Sequence, residues 1–441
     1  MKPIKMRLLA VALALLSVRA AAQDSAAVVD AAPLKYDEYL AEVLRANLDY
    51  ATQKYNVTIA EAGISIARLF PDPTVTAGIA STEVYGPTHR AYPTSPTFGL
   101  GWTMELGGKR GARIALAKDT LKQTQASLDD FLRQLKATAT NAFVDSLKAR
   151  LVVQRKQDTL KGFEELVALD EIRYKDGDIG QLELSQARVA RDQFLGESLS
   201  AESDVKVADA TLSQFAGGGL LGRTPVGELD APPRNFDLSQ ALDAAMKNRS
   251  DVLAAQKAVD VAADNLGLAK ANRWVDLGLN LTYTHTRAIY SDPGVLDKTG
   301  QSFPPESARN DALGATVTVP IPFSRLQHGE LTQAEAALSQ AQLQLRVAQL
   351  QARTDVISAY AQYTAAAKAL AAYRGSILRE TDQTLVDTKY AYQRGAISIV
   401  ELIQAQQATN DIYLAYYDAL SAHDKALLAL LLAEGDKDFS L

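Results

Sequence analysis

Two long stretches without proline constrain the possible folds of this chain more than any other feature of its sequence. Residues 112–176 and 330–394 are each 65 residues long, and each contains a single glycine. Leucine and alanine recur along both stretches at the spacing of an α-helix. A helix of this length would extend over roughly 100 Å, which is far more than the core of a compact domain can cover. The sequence therefore predicts two long helical rods, and any function of the chain has to account for them.

The rods belong to two copies of one longer repeat. Residues 173–187, RYKDGDIGQLELSQA, align with residues 391–405, AYQRGAISIVELIQA. The alignment pairs Gly177 with Gly395, Ile179 with Ile397, and Glu183 with Glu401. Chance similarity between alanine-rich helices is the alternative, and the matched glycines in the same order of elements argue against it. We predict a mainly α fold with a small β part, in which each repeat is a helix, a β hairpin, a long helix and a return helix.

These repeats predict the organisation of the whole chain. A signal peptide (1–22) precedes a first repeat (23–215), a glycine- and proline-rich linker (216–235) and a second repeat (236–441). In the first repeat we predict an amphipathic helix at 36–69, a hairpin at about 73–106, a long helix at about 111–176 and a return helix at about 182–215. The corresponding elements of the second repeat are predicted at 238–272 and at about 275–322, 329–394 and 399–433.

The hairpin segments alternate with a period of two. Phe98, Leu100 and Trp102 are separated by glycine and threonine, and residues 277–284 alternate in the same way. Large apolar residues on one face with small or hydroxylated residues on the other are typical of a membrane-spanning β-barrel, although a strand half-buried on a soluble core has the same period. Four strands cannot close a barrel in lipid, so we expect three chains to supply twelve strands around a water-filled bore.

The N-terminus and the composition predict an exported, acidic protein. A basic region (Lys2, Lys5 and Arg7), an apolar stretch (8–16) and three alanines (20–22) are typical of a cleaved signal peptide. Cleavage after residue 22 would remove four positive charges and no negative ones, so the formal net charge would change from -6 to -10. Such a chain is unsuited to binding nucleic acid. The absence of cysteine excludes disulfides, thiolate metal sites and a cysteine nucleophile.

No motif of an enzyme or of a metal site stands out. The glycine-containing block at residues 105–114 fits neither GxxxxGK[ST] nor GxGxxG, and no GxSxG occurs. The histidines are scattered without the spacing of metal ligands, at His89, His285, His328 and His423. We therefore predict no catalytic residues, no cofactor and no dedicated metal site.

Three short blocks, together with this architecture, resemble a known family. They are FPDP at residues 70–73, ELGGKRGARI at 105–114 and PIPFSRLQHG at 320–329. The chain is similar to the TolC-like outer-membrane efflux proteins over nearly its whole mature length, and most similar to the cobalt–zinc–cadmium (CzcC-type) channels. Leu326 departs from the asparagine that is usual in the third block.

The second of these blocks predicts the passage from strand to helix. Its two adjacent glycines let the backbone change direction. We expect the basic residues Lys109, Arg110 and Arg113 to lie just beyond the inner edge of the barrel. There they would meet either lipid head groups or carboxylates at the rim.

The resemblance implies a location, an assembly and partners. It implies a homotrimer in the outer membrane of a Gram-negative bacterium, with a twelve-stranded β-barrel in contact with lipid and continued by a periplasmic α-helical barrel. A periplasmic adaptor protein and an inner-membrane pump of the RND type would be its partners. The implied function is a passive exit duct for divalent heavy-metal cations, without enzymatic activity. A multidrug or type I secretion channel is the alternative within this class, and a secreted coiled-coil structural protein is the alternative outside it.

The same resemblance assigns roles to residues near the two turns. Adaptor docking is expected at Gly177, Ile179, Gly395 and Ile397, and a periplasmic gate at Tyr392, Arg394, Glu401 and Gln404. Glu401 matches a gate carboxylate, whereas Gln404 stands where some members have a second acid. Three copies of Glu401 would form a ring that favours cations. A surface glutamate that interacts with the dipole of its own helix is the alternative interpretation.

Overall fold

The computed structural model describes residues 33–81, 84–85, 90–91, 94–291, 298–301, 306–321, 323 and 328–436. The predicted signal peptide, His89 and Leu326 lie outside these ranges. As predicted, the fold is mainly helical with a small β part. Within the described ranges, none of the helices has the length and apolar composition needed to cross a membrane.

Both halves of the chain begin with a short strand and two helices, continue with strands and end with helices. The helices are α1 (Tyr36–Ala46), α2 (Leu48–Ala67), α3 (Lys109–Asp176), α4 (Gln181–Phe215), α5 (Leu238–Asn248), α6 (Ser250–Asn272), α7 (Gly329–Ala372), α8 (Leu378–Gln393) and α9 (Ile399–Glu434). The strands are β1 (Pro33–Leu34), β2 (Thr74–Ser81), β3 (Val84–Tyr85), β4 (Arg90–Ala91), β5 (Thr94–Met104), β6 (Thr224–Pro225), β7 (Leu277–Ser291) and β8 (Glu306–Thr318).

The first helix of each repeat is broken, where the sequence predicts it to be continuous. The breaks fall at Asn47 and Arg249, which are equivalent positions of the two repeats, and both residues have extended backbone angles. Their polar side chains hold the kinked chain in place. The Asn47 amide donates to the carbonyl of Phe215 at 3.0 Å, and the Arg249 guanidinium pairs with Asp251 and Asp355.

The second rod, predicted as one helix over 329–394, is also divided. A π-helical turn, Tyr373–Ile377, separates α7 from α8 and contains Gly375. Such a turn has a wider hydrogen-bond spacing than an α-helix and shifts the faces that follow it. The first rod, in contrast, is the single helix α3 of 68 residues.

The chain divides into two compact units, and neither coincides with a repeat. The first unit contains the segment up to Asn47, Ala139–Asp230 and Leu378–Ser421. The second contains Leu48–Thr138, Ala231–Ile377 and the segment from Ala422 onward. Each unit therefore combines segments of both repeats.

The second unit contains an antiparallel sheet in the order β2–β5–β7–β8. Its register gives the two faces opposite characters. One row across three strands is Phe98, Tyr283 and Leu313, and the row beside it is Gly99, Thr282 and Gly314. Large apolar side chains on the first face are exposed, among them Val75, Phe98, Trp102, Leu281, Leu313 and Val317. An apolar face of this extent is normally covered in a functional protein.

The basic residues after the first hairpin bind partners within the second unit. Lys109 is buried and its ammonium lies 2.7 Å from Asp276, while Arg113 pairs with Glu105. The Arg110 guanidinium donates to the carbonyl of Arg68 at 2.8 Å. Two of the three side chains thus meet carboxylates of this chain, one of the two outcomes expected from the sequence.

The corner between β5 and α3 requires a glycine, Gly107. Its φ is +70°, and a Cβ at that position would lie 2.5 Å from the ring of Trp274. An L-residue would therefore be strained both by its backbone angle and by the indole.

Candidate functional site

The candidate site is the pair of turns in the first unit, where α3 meets α4 and α8 meets α9. Gly177 and Gly395 have positive φ angles of +81° and +70°. At the first turn the N–H of Asp178 donates to the carbonyl of Arg173. The N–H of Ala396 donates in the same way to Ala391. This is the Schellman pattern, in which a glycine in the left-handed region ends a helix.

A small apolar cluster lies behind the second turn. It is made of Val167, Ala187, Tyr392, Ile399 and Leu402, with Ile397 packed against it. In the first turn the matching residue, Ile179, is buried, whereas Ile397 is partly buried. At both turns the chain therefore exposes a glycine and places an isoleucine two positions later in a protected environment.

Tyr392 is the one gate candidate in a buried polar contact. Its hydroxyl donates to Oδ1 of Asp170 at 2.8 Å, and both side chains are buried. The Arg173 guanidinium lies over the Tyr392 ring, with one nitrogen 3.8 Å from Asp170 Oδ1. The contact joins α8 to α3 within the first unit.

Burial dominates the electrostatics of this pair. It raises the pKa of the Asp170 carboxyl, although the hydrogen bond from Tyr392 and the charge of Arg173 act in the opposite direction. Burial also raises the pKa of the Tyr392 phenol, and the neighbouring Asp170 raises it further. The phenol therefore stays protonated and remains a donor at physiological pH.

Glu401 has a local structural partner. Its carboxylate accepts hydrogen bonds from the backbone N–H of Ser398 at 2.8 Å and from the Ser398 hydroxyl at 3.2 Å. The Ser398 hydroxyl in turn accepts from the N–H of Glu401 at 3.3 Å. This reciprocal arrangement is a capping box at the start of α9. The side chain is nevertheless exposed, so its charge faces solvent.

The other two gate candidates are exposed. Arg394 lies over the ring of Tyr390, with 4.7 Å between the guanidinium carbon and the ring centre. Gln404 lines a shallow groove of about 460 Å³ between α4 and α9, together with Leu182, Gln186 and Val400. Among the described residues, no hydrogen bond connects Arg394, Glu401 or Gln404 to Tyr392, so the four candidates do not form one cluster.

Asp170 and Arg173 were missed by the sequence analysis. A signal was present, because Phe163, Val167 and Asp170 follow one helical stripe and the last of them is a carboxylate. A carboxylate on an apolar stripe indicates a buried polar contact.

In the described ranges, no three histidine or carboxylate side chains converge in a way that could hold a metal ion. His285 contacts Asp311, and His423 contacts Asp424, in two separate pairs.

Comparison with known proteins agrees with this architecture. The model of the outer membrane efflux protein family matches residues 37–218 and 241–436. The outer membrane efflux protein BepC of Brucella suis is 22% identical over 396 residues, which cover 87% of this chain and 84% of BepC. The cobalt-zinc-cadmium resistance protein CzcC of Cupriavidus metallidurans is 21% identical over 395 residues, which cover 88% of this chain and 87% of CzcC.

A solved structure shows the same fold. The crystal structure of a membrane protein from Pseudomonas aeruginosa superposes with a TM-score of 0.72 at 18% identity, over 90% of this chain and 92% of that one. The family model matches most of the chain, and this match shows the class of the protein. The chain belongs to the outer membrane efflux protein family, and it is a channel protein, not an enzyme, of the Gram-negative outer membrane with a helical extension into the periplasm.

Proposed function

We propose that this chain is the exit duct of a tripartite efflux pump and that it works as a homotrimer. The observation that carries the proposal is the sheet β2–β5–β7–β8. Within the described residues, β2 and β8 each pair along one edge only. Joining β8 of one copy to β2 of the next in a closed ring of twelve strands satisfies these edges and turns the apolar face to lipid.

The inner face of such a barrel suits passive transport. Its rows consist of small or polar residues, such as Gly101, Asn280 and Thr316. Twelve strands leave a water-filled bore, whereas eight would be filled by side chains. Energy and selection would then come from an inner-membrane pump of the RND type. A secreted coiled-coil structural protein is set aside, because the family is one of membrane channels.

The two turns are the proposed docking surfaces for a periplasmic adaptor. Gly177 and Gly395 share one hydrogen-bond pattern, and Ile179 and Ile397 follow them at the same spacing. Each chain therefore offers two similar surfaces, and a trimer offers six. The repeated geometry supports recognition of both turns by one kind of partner.

We place the gate at the same end of the first unit. The buried bond between Tyr392 and Asp170 holds α8 against α3, so its loss would loosen the helices that form the tip. The exposed charge of Glu401, repeated three times in a trimer, would favour cations at the entrance. Arg394 and Gln404 have solvent-exposed side chains that suit contacts with a neighbouring chain.

Divalent heavy-metal cations are the proposed cargo. The similarity to CzcC, whose name records cobalt, zinc and cadmium resistance, supports this. Metal ions would be substrates in transit, so a dedicated ligand cluster is not needed. The second candidate is multidrug or type I export. BepC is about as similar to this chain as CzcC is, so the fold fits this cargo equally well.

Two experiments test these proposals. Full-length protein purified from outer membranes should be trimeric by native mass spectrometry and should conduct ions in planar bilayers; a monomer without conductance would refute the duct. For the cargo, a deletion strain should become sensitive to cobalt, zinc and cadmium, and the intact gene should restore resistance. Unchanged metal resistance with increased drug sensitivity would replace the metal cargo by the second candidate.

A further inference from the structure

We infer that the β7–β8 hairpin carries a binding site for the phosphate groups of an anionic glycolipid in the outer leaflet, built on Arg287 and Arg309. The two arginines lie directly opposite each other in the register of β7 and β8, and both side chains are exposed. The inference rests on the proposed barrel, because it requires this face of the sheet to meet lipid.

Both arginines lie on the apolar face of the sheet. Side chains alternate along a strand, so Arg287 shares a face with Leu281 and Tyr283. Arg309 shares the same face with Leu313, which pairs with Tyr283. The guanidinium groups therefore continue the lipid-facing rows two rows beyond Tyr283 and Leu313.

The row between the apolar residues and the arginines marks the membrane boundary. The Tyr283 hydroxyl donates to Oδ1 of Asp311 at 2.8 Å, and Nδ1 of His285 lies 2.6 Å from the same oxygen. Tyrosine is typical of the level at which acyl chains give way to head groups. The arginines lie one row farther out, at the level of the head groups.

The connections of the hairpin identify the leaflet. β7 begins shortly after α6 ends, and β8 ends shortly before α7 begins. The helices of the family extend into the periplasm, so the opposite end of the hairpin, with Arg287 and Arg309, faces the cell exterior. The anionic lipid of that leaflet is a phosphorylated glycolipid.

The charges of the pair favour a phosphate ligand. Like charges directly opposite each other on neighbouring strands are destabilising. Within the described residues, neither guanidinium forms a salt bridge. The carboxylate of Asp311, which also feels the charge of Arg309, is hydrogen-bonded by Tyr283 and His285. Arginine binds phosphate through two parallel hydrogen bonds, so one bridging phosphate would turn this repulsion into two favourable contacts.

The test uses the full-length trimer in detergent, with native mass spectrometry as the readout. The probes are bisphosphorylated lipid A and the same lipid after dephosphorylation. We expect the wild-type protein to bind the phosphorylated lipid at least about tenfold more tightly than the dephosphorylated one. This ratio corresponds to one charge-assisted contact, which the dephosphorylated lipid lacks. R287Q/R309Q should lose this preference. The matched control R346Q/R353Q, which removes two exposed arginines of α7, should keep it.

Several outcomes would overturn the inference. Equal binding of the two lipids by the wild-type protein would do so without any variant, as would an unchanged preference in R287Q/R309Q. Displacement of the lipid by an equal concentration of inorganic phosphate would assign the site to free phosphate instead. Single-channel recordings on the same samples separate the two proposals. A conducting wild-type trimer without phosphate preference contradicts the lipid site alone, and a wild-type protein that forms no channel contradicts the duct and the lipid face together.

Discussion

The hydroxyl of Tyr392 donates to Oδ1 of Asp170 across a distance of 2.8 Å, although 222 positions of the chain separate the two residues. The bond connects α8 of the second repeat to α3 of the first, close to the turns that end both helices. Among the described residues, Oδ2 of Asp170 has no hydrogen-bond partner. The buried carboxylate therefore depends on the phenol for its hydrogen bond, and a nitrogen of Arg173 at 3.8 Å is its second contact.

Replacing Tyr392 with phenylalanine should loosen this junction. The buried Asp170 oxygen loses its donor, and the expected cost is about 1–3 kcal/mol in the free energy of unfolding. If the bond holds the gate, single-channel conductance in planar bilayers should rise. Tyr390→Phe is the matched control, because Tyr390 is exposed and contacts only Arg394 among the interactions described above. A Tyr392→Phe channel with wild-type conductance would remove this residue from the gate.

The raised pKa of Asp170 predicts a pH dependence. Burial raises this pKa above its ordinary value of 3.8. Between pH 3.8 and the raised pKa, the folded protein therefore holds a proton that the unfolded chain has lost. The free energy of unfolding should then fall as the pH rises from 3.8 through the raised pKa. Asp170→Asn, which still accepts from Tyr392, should remove this part of the slope.

The measurement is the melting temperature of both proteins over the acidic range. Asp178→Asn serves as the control, because Asp178 is an exposed carboxylate at the same turn. We expect the control to follow the wild-type slope. Parallel curves for Asp170→Asn and wild type would show that the carboxyl titrates normally.

Three variants separate the two roles considered for Glu401. Glu401→Gln keeps the capping box and removes the charge, since glutamine serves equally well at this position. Ser398→Ala removes the cap and keeps the charge, at an expected cost of about 1 kcal/mol. Glu401→Ala removes both. A gate role predicts lower cation selectivity, read as a shifted reversal potential, in both Glu401 variants but not in Ser398→Ala. Selectivity that follows the cap instead of the charge would contradict that role.

The broad architecture was predictable because two periodicities carry it. Spacing near 3.6 predicts the rods, and residues 109–176 form the single helix α3. Spacing near 2 predicts the faces of the hairpins, and the register places Phe98 and Leu281 in rows of apolar residues. The π-helical turn at Tyr373–Ile377 was not predictable, because it depends on the local choice of carbonyl acceptor, and each flanking helix by itself keeps the ordinary α-helical spacing. Gly375 was its one visible sign.

The site was harder to predict than the fold. Asp170 carries no local motif, and its partner is brought close by the packing of two rods. The role of Glu401 in capping, in contrast, was readable from Ser398 three positions earlier. The two roles predicted for Glu401, a gate carboxylate and a partner of its own helix dipole, did not include this cap.

The glycines of the two turns should not tolerate a side chain. A Cβ at Gly177 or Gly395 would meet no atom within 4 Å, so the expected cost of alanine comes from the positive φ and amounts to roughly 1–2 kcal/mol at each position. Gly180→Ala is the matched control, because Gly180 has an ordinary φ of -82° and equally open surroundings.

The same variants test adaptor docking. We expect Gly177→Ala and Gly395→Ala to weaken binding of the adaptor, measured with the purified trimer, whereas Gly180→Ala should bind normally. Full binding by a Gly177→Ala/Gly395→Ala protein that melts at a lower temperature would assign these glycines to folding alone.

Neighbouring positions on β7 provide the sharpest test of the barrel. Leu281 lies on the apolar face in the row of Leu100 and Ala315, and Asn280 lies on the opposite face between Gly101 and Thr316. Leu281→Arg would place a charge in the hydrocarbon, at a cost of about 2–4 kcal/mol near the bilayer midplane, and should reduce the yield of membrane-inserted trimer. Asn280→Arg adds the same charge to the bore, so it should assemble normally and reduce conductance to cations. Equal yields of the two variants, or the reverse order, would mean that the apolar face of the sheet does not meet lipid.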